Sequence, residues 1–242
     1  MLISLVLTGA VSTAQAASPN INVGTMFDYM EPGKSQLLKR VRNSGDATAY
    51  VRVEISQVHF SAADEIVESP VDTAAIARSD AGASGLMASP SRLIIPAQNG
   101  QQATRLIYRG DRSSEMYYRV RYVPVVPNNA EFSLTEEQVK QYEEAVGARV
   151  NIMTGYGTLV FVPPTHARYD TQINGHVVSN RGNATVVLNN VRQCVDGKLN
   201  ECSKGVKIHL RPGQVRDLGT PDSGQVLRYQ LIEGLETREI GA

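Results

Sequence analysis

ARVNIMTGYGTLVFVPP, residues 148–164, reads as a long β-strand stopped by a double proline. Val150 and Ile152 alternate with Arg149 and Asn151, the period of a strand with one buried face. Leu159, Val160, Phe161 and Val162 form an unbroken apolar run, the pattern of a strand covered on both sides. Gly155 and Gly157 separate the halves, and glycine inside a strand marks a bulge or a close backbone approach. A bulge adds one residue and inverts side-chain parity. That arrangement turns Val150 and Ile152 outward and puts Leu159 and Phe161 in the chain's own core. The plainer reading is a central strand with a kink.

Working outward, residues 116–126 alternate Tyr118, Val120 and Tyr122 against Tyr117, Arg119 and Arg121. Residues 49–60 alternate Val51, Val53 and Ile55 against Arg52, Glu54 and Ser56. Further strands are predicted over 21–30, 35–42, 92–95 and 101–109. Residues 62–89 are rich in Ala, Ser, Asp and Gly, the composition of a long surface excursion. Ser133-Leu134-Thr135-Glu136 has the form of a capping box and predicts a short helix ahead of the organising strand. After the double proline, short strands are predicted over 172–179, 185–192, 205–210, 214–218 and 225–231. Short strands with no βαβ alternation predict an all-β fold of two β-sandwiches, over 17–163 and 164–242.

The length of 242 residues accommodates two such domains. The 24 basic and 24 acidic side chains cancel, so no nucleic-acid polyanion is indicated as partner. Residues 1–16, MLISLVLTGAVSTAQA, have an apolar run and end in Ala-Gln-Ala, as a secretory signal does, although a basic start is missing. No other stretch approaches the length of a membrane span, so an exported protein without membrane insertion is expected. Cys194 and Cys202 flank the polar turn VDGKLNE, and in an oxidising compartment a disulfide is the natural reading. So short a loop limits its entropic contribution to about 2–3 kcal/mol. His59, His166, His176 and His209 show no ligand spacing around the cysteines, so no metal is expected. No nucleophile elbow, phosphate loop, dinucleotide fingerprint or paired carboxylates stand out, and neither an enzyme nor a cofactor is expected.

Several stretches together resemble a known family. SPSRLIIPAQ (89–98), RLIYRG (105–110) and YYRV (117–120) resemble the middle of the first domain of a periplasmic pilus chaperone. GTLVFVPP (157–164) resembles the end of that domain's last strand. NRGNAT (180–185) and the Cys194/Cys202 loop resemble its second domain. The branch most similar is that of the alternate chaperones of colonisation-factor and common-pilus systems. The resemblance implies two immunoglobulin-like sandwiches set at an angle with a cleft between them. It implies a chaperone that binds pilin subunits, supplies the strand each lacks, and delivers them to an outer-membrane usher. Such strand addition draws affinity from backbone bonds and specificity from alternating side chains. The implied donor segment is 148–154, with Ala148, Val150, Ile152 and Thr154 on it and Val150 and Ile152 as its apolar residues.

The resemblance departs at the anchor. In the archetypal members a basic residue on the first strand and another on the last hold the pilin's terminal carboxylate. Here residues 21–30 contain no Lys or Arg, and the matching last-strand position is Thr158. Arg119 and Arg121 lie on the strand predicted beside the organising one, and Arg149 and Arg105 are further candidates. A guanidinium grips a carboxylate through two hydrogen bonds. Solvation of a sheet face is the plainer role for any one of these arginines. Two other classes stand beside the chaperone: a structural pilus subunit or surface adhesin with Ig-like domains, and an exported sandwich enzyme or carbohydrate-binding module.

Overall fold

The computed structural model describes residues 17–61, 65–147, 153–198 and 200–241. The chain begins with β1 (Ile21–Asn22), β2 (Phe27–Tyr29), β3 (Gln36–Asn43), β4 (Ala49–Phe60) and β5 (Ile66–Pro70). Then come α1 (Thr73–Arg78), β6 (Gly85–Ser89), β7 (Arg92–Ile95), β8 (Gly100–Arg109) and β9 (Met116–Val125). Two helices, α2 (Asn129–Phe132) and α3 (Glu136–Gly147), precede β10 (Tyr156–Val162). One sheet runs β1-β3-β8-β6, and the sheet facing it runs β2-β10-β9-β4-β5, with β7 also paired to β4. Their inner faces share one core that includes Val41, Val51, Leu86, Leu106, Tyr118 and Val160.

Beyond the double proline lie β11 (Thr171–Asn174), β12 (Val177–Asn180), β13 (Val186–Val195), β14 (Val206–Leu210), β15 (Val215–Asp217), β16 (Gln225–Glu233) and β17 (Glu236–Ile240). They form the sheets β11-β12-β15 and β14-β13-β16-β17 around a separate core of Val178, Val186, Leu188, Leu210, Tyr229 and Leu231. Cys194 and Cys202 are bonded at 2.07 Å, which ties the end of β13 to the loop after it.

Both sandwiches use the same corner. Asn43 and Asn180 are buried, and each begins an Asn-x-Gly-x-Ala stretch. Asn43 donates to the Ala47 and Ile95 carbonyls and accepts from the Gly45 amide. Asn180 donates to the Ala184 and Leu210 carbonyls and accepts from the Gly182 amide. A buried amide is tolerated because its hydrogen bonds are made. Both glycines are required: a Cβ on Gly45 would lie 2.2 Å from the Ser18 carbonyl oxygen, and one on Gly182 2.3 Å from that of Arg168.

Four local predictions are corrected. Residues 21–30 do not form one strand: β1 pairs with β3, the chain bends at Gly24 (φ 70°), and β2 pairs with β10 in the other sheet. Of the predicted 62–89 excursion, residues 65–89 are folded, since β5, α1 and β6 all lie in them. Residues 172–179 are a hairpin, β11-β12, turning at Gly175 (φ 58°). The capping box starts two residues later than predicted: the Thr135 hydroxyl accepts from the Gln138 amide, and the Gln138 side chain accepts from the Thr135 amide. Ser133 instead ends α2 in the left-handed region.

A buried ion pair joins the two sheets of the first sandwich. Lys39 Nζ, on β3, donates to both carboxylate oxygens of Asp28, on β2, at 2.8 Å, and to the Thr25 carbonyl at 2.7 Å. The cation facing β2 is therefore Lys39 of β3, and it is taken up by Asp28 between the sheets.

The parity of β10 also differs from the expectation. Its register with β9 runs unbroken from Tyr156↔Tyr122 to Val162↔Met116. Thr158, Val160 and Val162 are wholly buried, and Val160 and Val162 belong to the core. Leu159 is only half-buried, and Phe161, though buried, stacks on Tyr29 and on His209 of β14. An apolar run on both faces carries no parity signal. Here the second sandwich covers Phe161. Val160→Asp buries an unpaired charge in the core, which costs several kcal/mol against a total stability of about 5–15 kcal/mol. Thermal melting is expected to show loss of cooperative unfolding in Val160→Asp. Leu159→Asp, whose carboxylate would stand opposite Arg119, should lower the melting temperature by only a few degrees.

Candidate functional site

β10 is paired along its full length by β9, but β2 covers its other edge only at Leu159, Val160 and Phe161. Among the described residues no strand pairs with that edge from Tyr156 to Thr158. Unpaired backbone N–H and C=O groups on an edge are a template for another strand. Ahead of this edge Thr154 is exposed and precedes the strand. Ala148, Arg149, Val150 and Ile152 lie outside the described residues.

The outer face of the same sheet carries a charged cluster. Gly157 lies opposite Arg121, and Leu159 opposite Arg119. A Cβ on Gly157 would sit 3.2 Å from Arg119 Cδ, so the glycine leaves room for the arginine stem. Both guanidiniums turn toward β5. Arg121 Nη1 lies 2.8 Å from Glu68 Oε2, and Nη2 donates to Oε1 at 2.9 Å. Arg119 Nε lies 3.3 Å from Oε1 but outside hydrogen-bond geometry, so this buried N–H has no acceptor among the described residues. Ser56 Oγ donates to Oε2 at 2.5 Å and accepts from Arg121. The hydrogen bond from Arg121, then that from Ser56, hold the Glu68 carboxyl down at about 2. Both cations face Glu68, and Glu54, which stands opposite Arg121 on β4, adds a second anion beside Arg121.

The other candidate positions are elsewhere. Thr158 points into the core, its hydroxyl without a partner among the described residues, and Arg105 is on β8, in the opposite sheet, paired with Leu38 and Ser89. Neither side chain reaches the cleft. The sequence reading missed Glu68, because the polar composition of 62–89 hid a strand; the adjacent apolar Ile66 and Val67 were the available signal.

The second sandwich forms the other wall. His209 lies among Phe27, Tyr29 and Phe161, stacked on Phe161 at 5.0 Å with 17° between the planes and hydrogen-bonded to the Tyr29 hydroxyl at 2.5 Å. Burial, then the charge of Lys207, push its pKa down to about 4. Arg211 lies over the Phe60 ring at 3.4 Å. A cleft of about 340 Å³ opens here, lined by Phe60, Leu159, Phe161, His209 and Arg211. Behind it Glu115 accepts from the Tyr117 hydroxyl at 2.6 Å and from the Thr185 amide and hydroxyl at 2.9 and 2.6 Å. Arg112 clamps the joint, donating to the Pro163 carbonyl through Nε and Nη2 and to the Lys34 carbonyl.

No family model matches the chain. Over 238 residues, 95% of this chain and 94% of the relative, it is 27% identical to the "Probable fimbrial chaperone EcpB" of Escherichia coli O157:H7. In fold it is similar to the class 5 fimbriae chaperone CfaA, with 18% identity, a TM-score of 0.56, and coverage of 91% of this chain and 98% of that one. A complex of Salmonella enterica SafA pilin with the SafB chaperone gives a TM-score of 0.50 at 13% identity, covering 92% of this chain and 96% of the matched one. The chain is thus similar over 95% of its length to proteins named as fimbrial chaperones, and it has an all-β, two-sandwich fold.

His209 makes the contact between the sandwiches pH-dependent. Its folded pKa, about 4, lies below the ordinary 6.5, so the unfolded chain binds more protons between those values. Stability therefore falls as pH drops from 6.5 to 4. His209→Phe keeps an aromatic ring among the others and removes the titration. Melting curves across that window are expected to show a weaker pH dependence in the variant than in the parent. Equal slopes would place the titration elsewhere.

Proposed function

We propose that this homologue of fimbrial chaperones is a periplasmic chaperone that holds pilin subunits by adding a strand to them and passes them to an outer-membrane usher. One observation carries the reading: among the described residues the organising strand is paired fully on one edge, and on the other no strand pairs with it ahead of Leu159. An incoming chain pairs there without disturbing β9. Residues 148–154, immediately upstream, are assigned the donor role, with Val150 and Ile152 entering pockets of the subunit. Arg119 and Arg121 are assigned the grip on its terminal carboxylate, because both lie on the cleft face and Thr158 and Arg105 do not.

The remaining assignments follow from the same reading. Residues 1–16 are a signal peptide, 17–163 the strand-donating domain and 164–242 the second domain, with the joint near 163–166. The two separate cores on either side of the double proline support that division. The named relatives are chaperones rather than enzymes, and they match over nearly their whole length, so a pilus subunit or adhesin is not favoured.

Val150→Asp is the direct test. In the complex the carboxylate would enter an apolar pocket unpaired, at a cost of about 3–5 kcal/mol. That is a loss of roughly two to four orders of magnitude in affinity. Co-expression with a pilin subunit is expected to give a one-to-one complex for the parent and none for the variant, whose melting temperature stays near the parent's. A variant that melts as Val160→Asp does would make this segment part of the chaperone's own core.

A further inference from the structure

The cationic pair already holds a carboxylate. Glu68 is the acceptor toward which both guanidiniums converge, and it comes from β5, the last strand of the sheet, paired only with β4. Its fit is incomplete. Arg121 receives a two-point contact, as a planar guanidinium prefers. The Arg119 Nε–H, shielded from solvent, has no acceptor among the described residues. A buried donor left unpaired is costly, so this N–H favours a carboxylate that can reach it as well as Arg121. A carboxylate arriving from the cleft over Gly157 has no backbone tether and is free to satisfy both arginines.

We propose that Glu68 is an internal stand-in for the partner's carboxylate: it occupies the Arg119–Arg121 site in the free protein and is displaced when a carboxylate-bearing chain docks along β10. This rests on the strand-addition reading for the identity of the partner, but not for the chemistry of the site. Two consequences follow. The unliganded cleft does not expose two uncompensated cations beside an open strand edge. Docking exchanges one carboxylate for another, so the charge of the site is conserved and discrimination falls on whether the incoming group also satisfies Arg119. Ser56, bonded to both Glu68 and Arg121, positions the stand-in.

The test uses acetate as the probe, with acetamide as the uncharged control, followed through the Nε–Hε resonances of Arg119 and Arg121 in the full-length mature protein. Glu68→Gln keeps the shape and removes the competing charge, and acetate affinity is expected to rise by about tenfold or more, the effect of removing a tethered competitor. Ser56→Ala loosens the stand-in without deleting it and should give a smaller gain, which keeps the test decisive if Glu68→Gln folds poorly. Acetamide should shift neither resonance. Equal or weaker acetate binding in both variants, or shifts away from Arg119 and Arg121, would overturn the proposal. A second arm measures an apolar C-terminal pilin peptide as free acid and as amide: Glu68→Gln should strengthen only the acid. If neither form binds any variant while acetate still discriminates, the stand-in holds and the pilin reading fails.

Discussion

The arrangement depends on the two faces of β10. A strand has a period of two, so Thr158, Val160 and Val162 must share one face and Gly157, Leu159 and Phe161 the other. The first set closes the core of the first sandwich, and the second meets the second sandwich. A slip of one residue would exchange them, putting Phe161 into the core and leaving Val160 at the joint. The unbroken register with β9 prevents this, and it fixes Arg119 and Arg121 on the cleft side, since cross-strand neighbours share a face. Core, joint and charged cluster are thus three results of one register.

The joint itself is made of directional contacts. A purely apolar contact would tolerate sliding, because hydrophobic burial has no preferred angle. Here the Glu115 carboxylate accepts hydrogen bonds from three donors on the two sandwiches, and burial raises its pKa despite them. His209 is held by ring stacking and by the Tyr29 hydroxyl, and Arg112 grips the linker carbonyl at Pro163. Each of these weakens quickly if the angle changes. The cleft geometry is therefore tied to these polar and stacking contacts, and Arg211 and Phe60 line it together with Leu159 and Phe161 of β10.

How much was legible in the sequence varied with how local the cause was. Strands β4 and β9 were readable because one face is polar and the other apolar, so the alternation names the inner face: Val51 and Val53, Tyr118 and Val120. Asn43 and Asn180 each follow a stretch predicted as strand, but their role as buried brackets was not legible, since it needs carbonyls such as Ile95 and Leu210, from elsewhere in the chain. The helix before β10 was placed, but its cap was displaced by two residues because Ser133 and Thr135 offer the same hydroxyl, and only the backbone at Ser133, in the left-handed region, decides between them.

From the sequence alone came the all-β class, the two-sandwich division of patterns, the pairing of Cys194 with Cys202, and the placement of Arg119 and Arg121 together on the strand beside β10. The first three follow from alternation, composition and nearness along the chain, which are local quantities; the neighbour of β10 was what the family resemblance implied. The tertiary structure decided which face of 157–162 is inside, that Lys39 is spent on Asp28, that Glu68 meets the two arginines, and that His209 meets Phe161. Where both faces of a strand are apolar, periodicity cannot distinguish core from joint. A charge's role, likewise, is set by the partner that folding brings to it, which for Glu68 and Arg121 comes from 53 residues away.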